Sequence, residues 1–179
     1  MKMSLFIVVM LFSFFTVKAQ DDTINPYPKK NEIKIDVVQP LLGGSVEAIY
    51  ERNLNKNSSI GISGLYMFSE KIDEDMNYSI TPYYRRYFGE KYAAGFFLEG
   101  FGMFSSIDGK KVYDTEQQLT SENPDVYDVS VGLGLGSKWV TKSGFIFEIN
   151  LGLGKQLFNA DKTDHNQVLR YGLKFGYRF

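Results

Sequence analysis

From Leu169 to Phe179 the side chains alternate without a break: Leu169, Tyr171, Leu173, Phe175, Tyr177 and Phe179 stand on one face, Arg170, Gly172, Lys174, Gly176 and Arg178 on the other. Side chains of an extended strand point to opposite faces with period two, so one face is wholly apolar and aromatic while its reverse is basic or bare. A strand with two such unlike faces needs hydrogen-bonding neighbours on both edges and a different environment for each side. Seven further segments carry the same texture between turn-forming residues: Asn31–Gln39, Ser45–Asn53, Ser58–Phe68, Tyr78–Phe88, Ala94–Ser105, Tyr127–Trp139 and Phe145–Leu157.

The connections order these eight strands. Those after the second, fourth and sixth are short (Leu54–Asn57, Gly89–Tyr92 and Val140–Gly144), whereas those after the third, fifth and seventh are longer and polar (Ser69–Asn77, Ser106–Val126 and Phe158–Gln167). Short turns at one end and long loops at the other predict an all-β, eight-stranded antiparallel up-and-down barrel of the transmembrane kind, with both termini at the short-turn end. The first connection, around Pro40-Leu41-Leu42-Gly43-Gly44, is an exception, being short on the long-loop side. Tyr78–Phe88 and Ala94–Ser105 alternate least cleanly. In the former, the neighbours Arg85 and Arg86 must point to opposite sides, and the outward one has to carry its charge to an interface on its long stem.

Alternation alone does not say which face is inside, and eight strands suit a soluble lipocalin-like barrel as well as a membrane one. Three features select the membrane arrangement. Mid-strand charges are few and mixed in sign: Glu47, Arg85, Glu99, Lys138, Glu148, Arg170 and Lys174, a set that can pair inside a narrow lumen as a structural polar network. The polar faces of the last three strands are glycine-rich, which leaves room beside bulkier lumen residues and is a poor choice for a solvated sheet surface. Aromatics make up 16% of the chain. Tyr50, Tyr66, Phe68, Phe88, Phe104, Trp139, Phe145, Tyr177 and Phe179 fall near strand ends, as interfacial girdles do.

The rest of the chain is read for targeting and chemistry. Lys2, an apolar run from Leu5 to Val17 and Val17-Lys18-Ala19 match a cleavable secretory signal over 1–19, too short to span a bilayer as a helix. Residues 20–30, with Asn25-Pro26-Tyr27-Pro28, read as a flexible periplasmic leader and 31–179 as the barrel. The mean hydropathy of −0.21 looks soluble, but barrel strands give a weak hydropathy signal. A net charge of −1 removes the electrostatic footprint of nucleic-acid binding, and the lack of cysteine leaves no disulfide, thiolate metal site or lipidated cysteine.

Gly132-Leu-Gly-Leu-Gly-Ser-Lys138 has neither phosphate-loop nor dinucleotide spacing and no helix pattern after it, so it reads as lumen packing. His165, the only histidine, stands in Asp161-Lys-Thr-Asp164-His165-Asn166. Those residue types suit a divalent cation or a general base, but the context reads as a solvated loop tip. Asp73-Glu74-Asp75 lacks EF-hand spacing and reads as a charged loop. No cofactor, metal ligand or catalytic residue is expected.

The signal, the alternating segments and the final strand resemble the small outer-membrane barrels of the OmpA/OmpX type. Tyr83-Tyr84-Arg85-Arg86-Tyr87-Phe88-Gly89 and Tyr171 to Phe179 are similar to a group of uncharacterised outer-membrane barrel-domain proteins. The resemblance implies that Tyr171, Leu173, Phe175, Tyr177 and Phe179 form the assembly signal read by the barrel assembly machinery. It also implies Sec export, a Gram-negative outer-membrane location among lipid and lipopolysaccharide, and periplasmic termini. The function this favours is non-enzymatic: surface contact, adhesion or envelope integrity through the long loops, with an extracellular ligand on 106–126. The alternatives are a lipid A acyltransferase or deacylase using His165, a narrow conduit for small hydrophobic molecules, and a soluble binding barrel.

Overall fold

The computed structural model describes residues 29–38, 40–41, 44–68, 76–107, 111–113, 119–122, 126–158 and 167–179. In chain order the strands are β1 (Asn31–Asp36), β2 (Ser45–Asn55), β3 (Ser58–Met67), β4 (Met76–Tyr87), β5 (Gly95–Ile107), β6 (Lys111–Tyr113), β7 (Leu119–Glu122), β8 (Val126–Val140), β9 (Phe145–Gln156) and β10 (Gln167–Arg178). Eight of them form a closed antiparallel barrel in the order β1-β10-β9-β8-β5-β4-β3-β2, and β6 and β7 pair as a separate two-stranded sheet. Closure joins the first strand to the last: Ile33 faces Tyr177, and Asn31 and Phe179 exchange backbone hydrogen bonds of 3.1 and 2.8 Å.

The alternation sorts the two faces throughout. Outward lie aliphatic side chains such as Ile35, Ile62, Leu98, Leu133, Leu151 and Leu153, the last of these 64% exposed and Leu133 76% exposed. Aromatics flank them. Phe88, Phe96, Trp139, Phe145 and Tyr177 lie outside at the short-turn end, and Tyr66, Phe68, Tyr78, Phe104 and Tyr127 outside at the other. Ring pairs tie neighbouring strands together on this surface, including Trp139 on Phe147 at 5.4 Å and Phe104 on Tyr127 at 6.0 Å. Cross-strand aromatic pairs of this kind contribute about 0.2–1 kcal/mol each relative to alanine.

Glycine shapes the inner wall. A β-carbon on Gly132 would collide with the Phe101 ring and with the backbone of Leu153 and Gly154, and one on Gly61 would run into the Tyr83 ring. The glycine run Gly132 to Lys138 is therefore paired strand, with Gly132 opposite Gly154 in β9, and large inward rings fill the space it leaves.

Three departures from the sequence expectation have physical causes. β1 ends at Asp36 and not at Gln39, because the Asp36 carboxylate accepts the backbone N–H of Val38 at 2.8 Å and bends the chain away. The first connection thus spans 37–44 and is not the short turn expected there. The connection between β5 and β8 carries the β6–β7 hairpin, whose strands of 3 and 4 residues are too short for period two to show. Both flanking strands also run further than expected, β5 to Ile107 and β8 from Val126.

At the short-turn end, residues 88–94 fold inward over the mouth. Ala93 is fully buried against Tyr87 and Phe97 and takes a positive φ of 42°. Its backbone N–H donates to the carbonyl of Lys56 at 2.8 Å, and the Arg178 guanidinium donates to the carbonyls of Tyr92 and Ala93 at 2.9 and 2.8 Å. Charge-assisted donation offsets the cost of a left-handed alanine, on the order of 1–2 kcal/mol.

Candidate functional site: the ion-paired interior

The inward positions of the strands place charge where a water-soluble protein would place its apolar core. Arg85, on β4, is the hub. Its Nε donates to Glu99 at 2.7 Å, one terminal nitrogen to both Glu51 and Glu148 at 2.9 Å, and the other to Glu148 at 2.9 Å. The guanidinium is sandwiched by rings, 4.2 Å from the Phe97 centroid and 4.5 Å from that of Tyr83. Lys34 on β1 donates to Glu51 at 2.6 Å and to Glu148 at 2.7 Å.

The network extends along the lumen in both directions. Toward the short-turn end, Lys138 donates to Glu32 at 2.9 Å and to Glu51 at 2.8 Å, and Arg178 donates to Glu32. Toward the long-connection end, Arg170 reaches Glu99 at 2.8 Å and Glu47 at 3.1 Å, and Lys174 lies 3.3 Å from Glu47. Tyr83 and Tyr87 donate their hydroxyls to Glu51 at 2.9 and 2.6 Å. Six cations and five glutamates thus form one connected cluster, and Asp36 faces Lys174 in the β1–β10 register.

Burial makes this arrangement all or nothing. Lys34, Glu51, Arg85 and Glu148 are each 0% exposed. An unpaired ion at such depth costs several kcal/mol, so the members are tolerable only because each one satisfies the others. The ties also cross the barrel. Lys138 on β8 meets Glu51 on β2, which stands across the lumen in the strand order, and Arg85 on β4 meets Glu148 on β9. Beyond this layer the interior mixes buried hydroxyls, Ser63, Ser79, Thr81, Ser105 and Ser130, with a small apolar cluster of Ile49, Phe101, Met103 and Val168. The Ser105 and Ser130 hydroxyls have no partner among the described residues, and a water molecule satisfies such groups at low cost.

All seven residues singled out for a polar network, Glu47, Arg85, Glu99, Lys138, Glu148, Arg170 and Lys174, are buried here and belong to this one cluster. Glu32, Lys34, Glu51 and Arg178 were not among them. The signal that finds them is the same alternation, since each sits on the inward face of its strand. Tyr171, Leu173, Phe175, Tyr177 and Phe179 share the outer face of β10 and the residue after it. His165 with Asp161 to Asn166, Asp73 to Asp75, the segment 1–19 and the leader to residue 28 lie outside the described residues. So do most of the positions between 108 and 125.

Fold and interior together define a closed eight-stranded antiparallel β-barrel whose core is ionic and whose outer wall is apolar. The chain belongs to the family described as protein of unknown function (DUF3575), whose model matches residues 5–174. Nothing among curated proteins and nothing among solved structures matches it.

Proposed function

We propose that this protein is an integral outer-membrane barrel with a sealed lumen, acting non-enzymatically through the connections at its long-loop end in surface contact, adhesion or envelope integrity. The observation that carries the membrane part is the inversion of polarity: aliphatic side chains outside between two aromatic zones, and paired charges inside. A soluble lipocalin-like barrel would have to present that aliphatic wall to water. In a bilayer the same wall is favourable, closure leaves no unpaired strand edge, and Lys174 and Arg170 avoid the roughly 2–4 kcal/mol that a lipid-facing cation costs at mid-depth.

The ties across the lumen support the sealed reading over a narrow conduit, because solute passing the Arg85 layer would have to break several buried ion pairs at once. The connections 108–125 and 157–166 are the longest, both at the long-loop end, and 108–125 carries a hairpin of its own outside the barrel sheet, which is what favours that end as the contact surface.

Deleting 109–124 and joining the ends with a short turn tests the division between scaffold and loop. The variant is expected to keep the change in gel mobility between unboiled and boiled samples that a closed barrel shows, while losing surface binding or envelope integrity. Loss of folding on deletion would contradict the division. Unchanged cells would remove the contact role from this loop.

A further inference from the structure

The outer rim of the short-turn end is strongly basic. Lys29, Lys30, Arg52, Lys56, Arg86, Lys91 and Lys142 are all exposed there, against Glu90 alone among the described acidic side chains of that rim. They are spread around the mouth: Lys56 lies in the β2–β3 turn, Lys91 in the β4–β5 turn, Lys142 in the β8–β9 turn and Lys29 beside β10, 5.1 Å from the Tyr177 ring. Arg52 and Arg86 stand on the outer wall itself, directed away from the ionic interior. The opposite end has the reverse balance. The connections 37–44, 68–75, 108–125 and 157–166 contain eleven acidic and four basic residues.

We infer that this rim is a binding surface for anionic phospholipid headgroups of the leaflet at the short-turn end. The inference rests on the membrane reading above. Its basis is position together with sign. The lysines of the turns and of residues 29–30 lie just beyond an aromatic zone made by Phe88, Phe96, Trp139, Phe145 and Tyr177, which is where headgroup phosphates stand when the aliphatic wall is in acyl chains, and Arg86 lies one outward position inside Phe88. Arg52 and Arg86 have apolar stems long enough to run along that wall while their guanidinium groups reach the phosphate plane. Arginine forks match phosphate oxygens with two parallel hydrogen bonds, and lysines add point charge. An acidic soluble protein is a poorer occupant, because the cations form a ring around the barrel and the membrane would cover much of it.

Trp139 is the only tryptophan and lies on this rim, exposed on the outer wall, so it serves as a native probe. The full barrel is reconstituted into phosphatidylcholine vesicles containing an equal mole fraction of either brominated phosphatidylcholine or brominated phosphatidylglycerol, and quenching of Trp139 is measured. Quenching by both, with the anionic lipid enriched about two- to five-fold, is the expected result. That preference should shrink in high salt, as screening requires. It should also shrink in a variant combining K56S, R86S, K91S and K142S, whose fold is checked by its heat-dependent gel shift. Equal quenching by the two lipids would overturn the basic rim as a lipid site and leave the barrel in the membrane. A preference that survives both salt and substitution would overturn its electrostatic basis. No quenching by either lipid would overturn the membrane reading, and this inference with it.

Discussion

Arg85 shows how much of the interior depends on one side chain. It donates four buried hydrogen bonds to three glutamates on three strands while resting between Phe97 and Tyr83. Replacing it by Met keeps bulk but leaves Glu148 with Lys34 and Glu99 with Arg170, and removes a positive charge from a sealed space. We expect Arg85→Met to destabilise the barrel by about 3–5 kcal/mol, the usual cost of removing one partner of a buried ion pair. Arg85→Lys should fall between, since it restores the charge without the fork. Urea midpoints in detergent micelles measure both. Equal stability of Arg85→Met and the parent would contradict the interdependence of the cluster. Adjacency shows that Arg85 and Arg86 face opposite ways without saying which is inside; grouping Arg85 with the mid-strand lumen charges makes it the inward one, and Arg86 is the exposed one. Its partners were readable only in part. Periodicity assigns a residue to a face, but register and barrel closure decide which faces meet, and these bring Glu32, Lys34 and Glu51 to the same layer.

Among the elements, β8, β9 and β10 were the most legible, because twelve or more cleanly alternating residues leave little ambiguity, whereas β4 and β5 are as long but mix polar and apolar side chains on both faces. The end of β1 was not legible, since a single hydrogen bond that the Asp36 carboxylate accepts from the Val38 N–H sets it. Nor was the role of residues 88–94. Their sequence reads as an ordinary turn, and only the return of β10 brings Arg178 beneath it to hold the carbonyls of Tyr92 and Ala93. Such a turn owes its order to a contact 85 residues away in the chain. Arg178→Gln should therefore loosen it locally. The expected result is faster tryptic cleavage after the exposed Lys91 in detergent, with the heat-dependent gel shift retained. Cleavage at the parental rate would show that packing of Ala93 against Tyr87 and Phe97 holds the turn without Arg178.

For the whole molecule, the decisive property is which solvent each wall meets. Closure, strand order and the sorting of apolar from charged side chains follow from alternation summed over eight strands, and that much of the fold was written in the sequence. What meets the long connections was not, because recognition there depends on loop conformation and not on periodicity. The central claim is that the aliphatic wall touches acyl chains. The chain has no cysteine, so single cysteines at Ile149, Leu151, Leu153, Leu133 and Leu135, with Asn150 as the inward control, can carry spin labels without background. In reconstituted vesicles, collision with lipid-soluble oxygen should be high at the five outward sites and low at Asn150, while collision with a water-soluble nickel chelate is low at all six. High nickel collision at the outward sites, in a protein that stays monodisperse without detergent, would contradict the account.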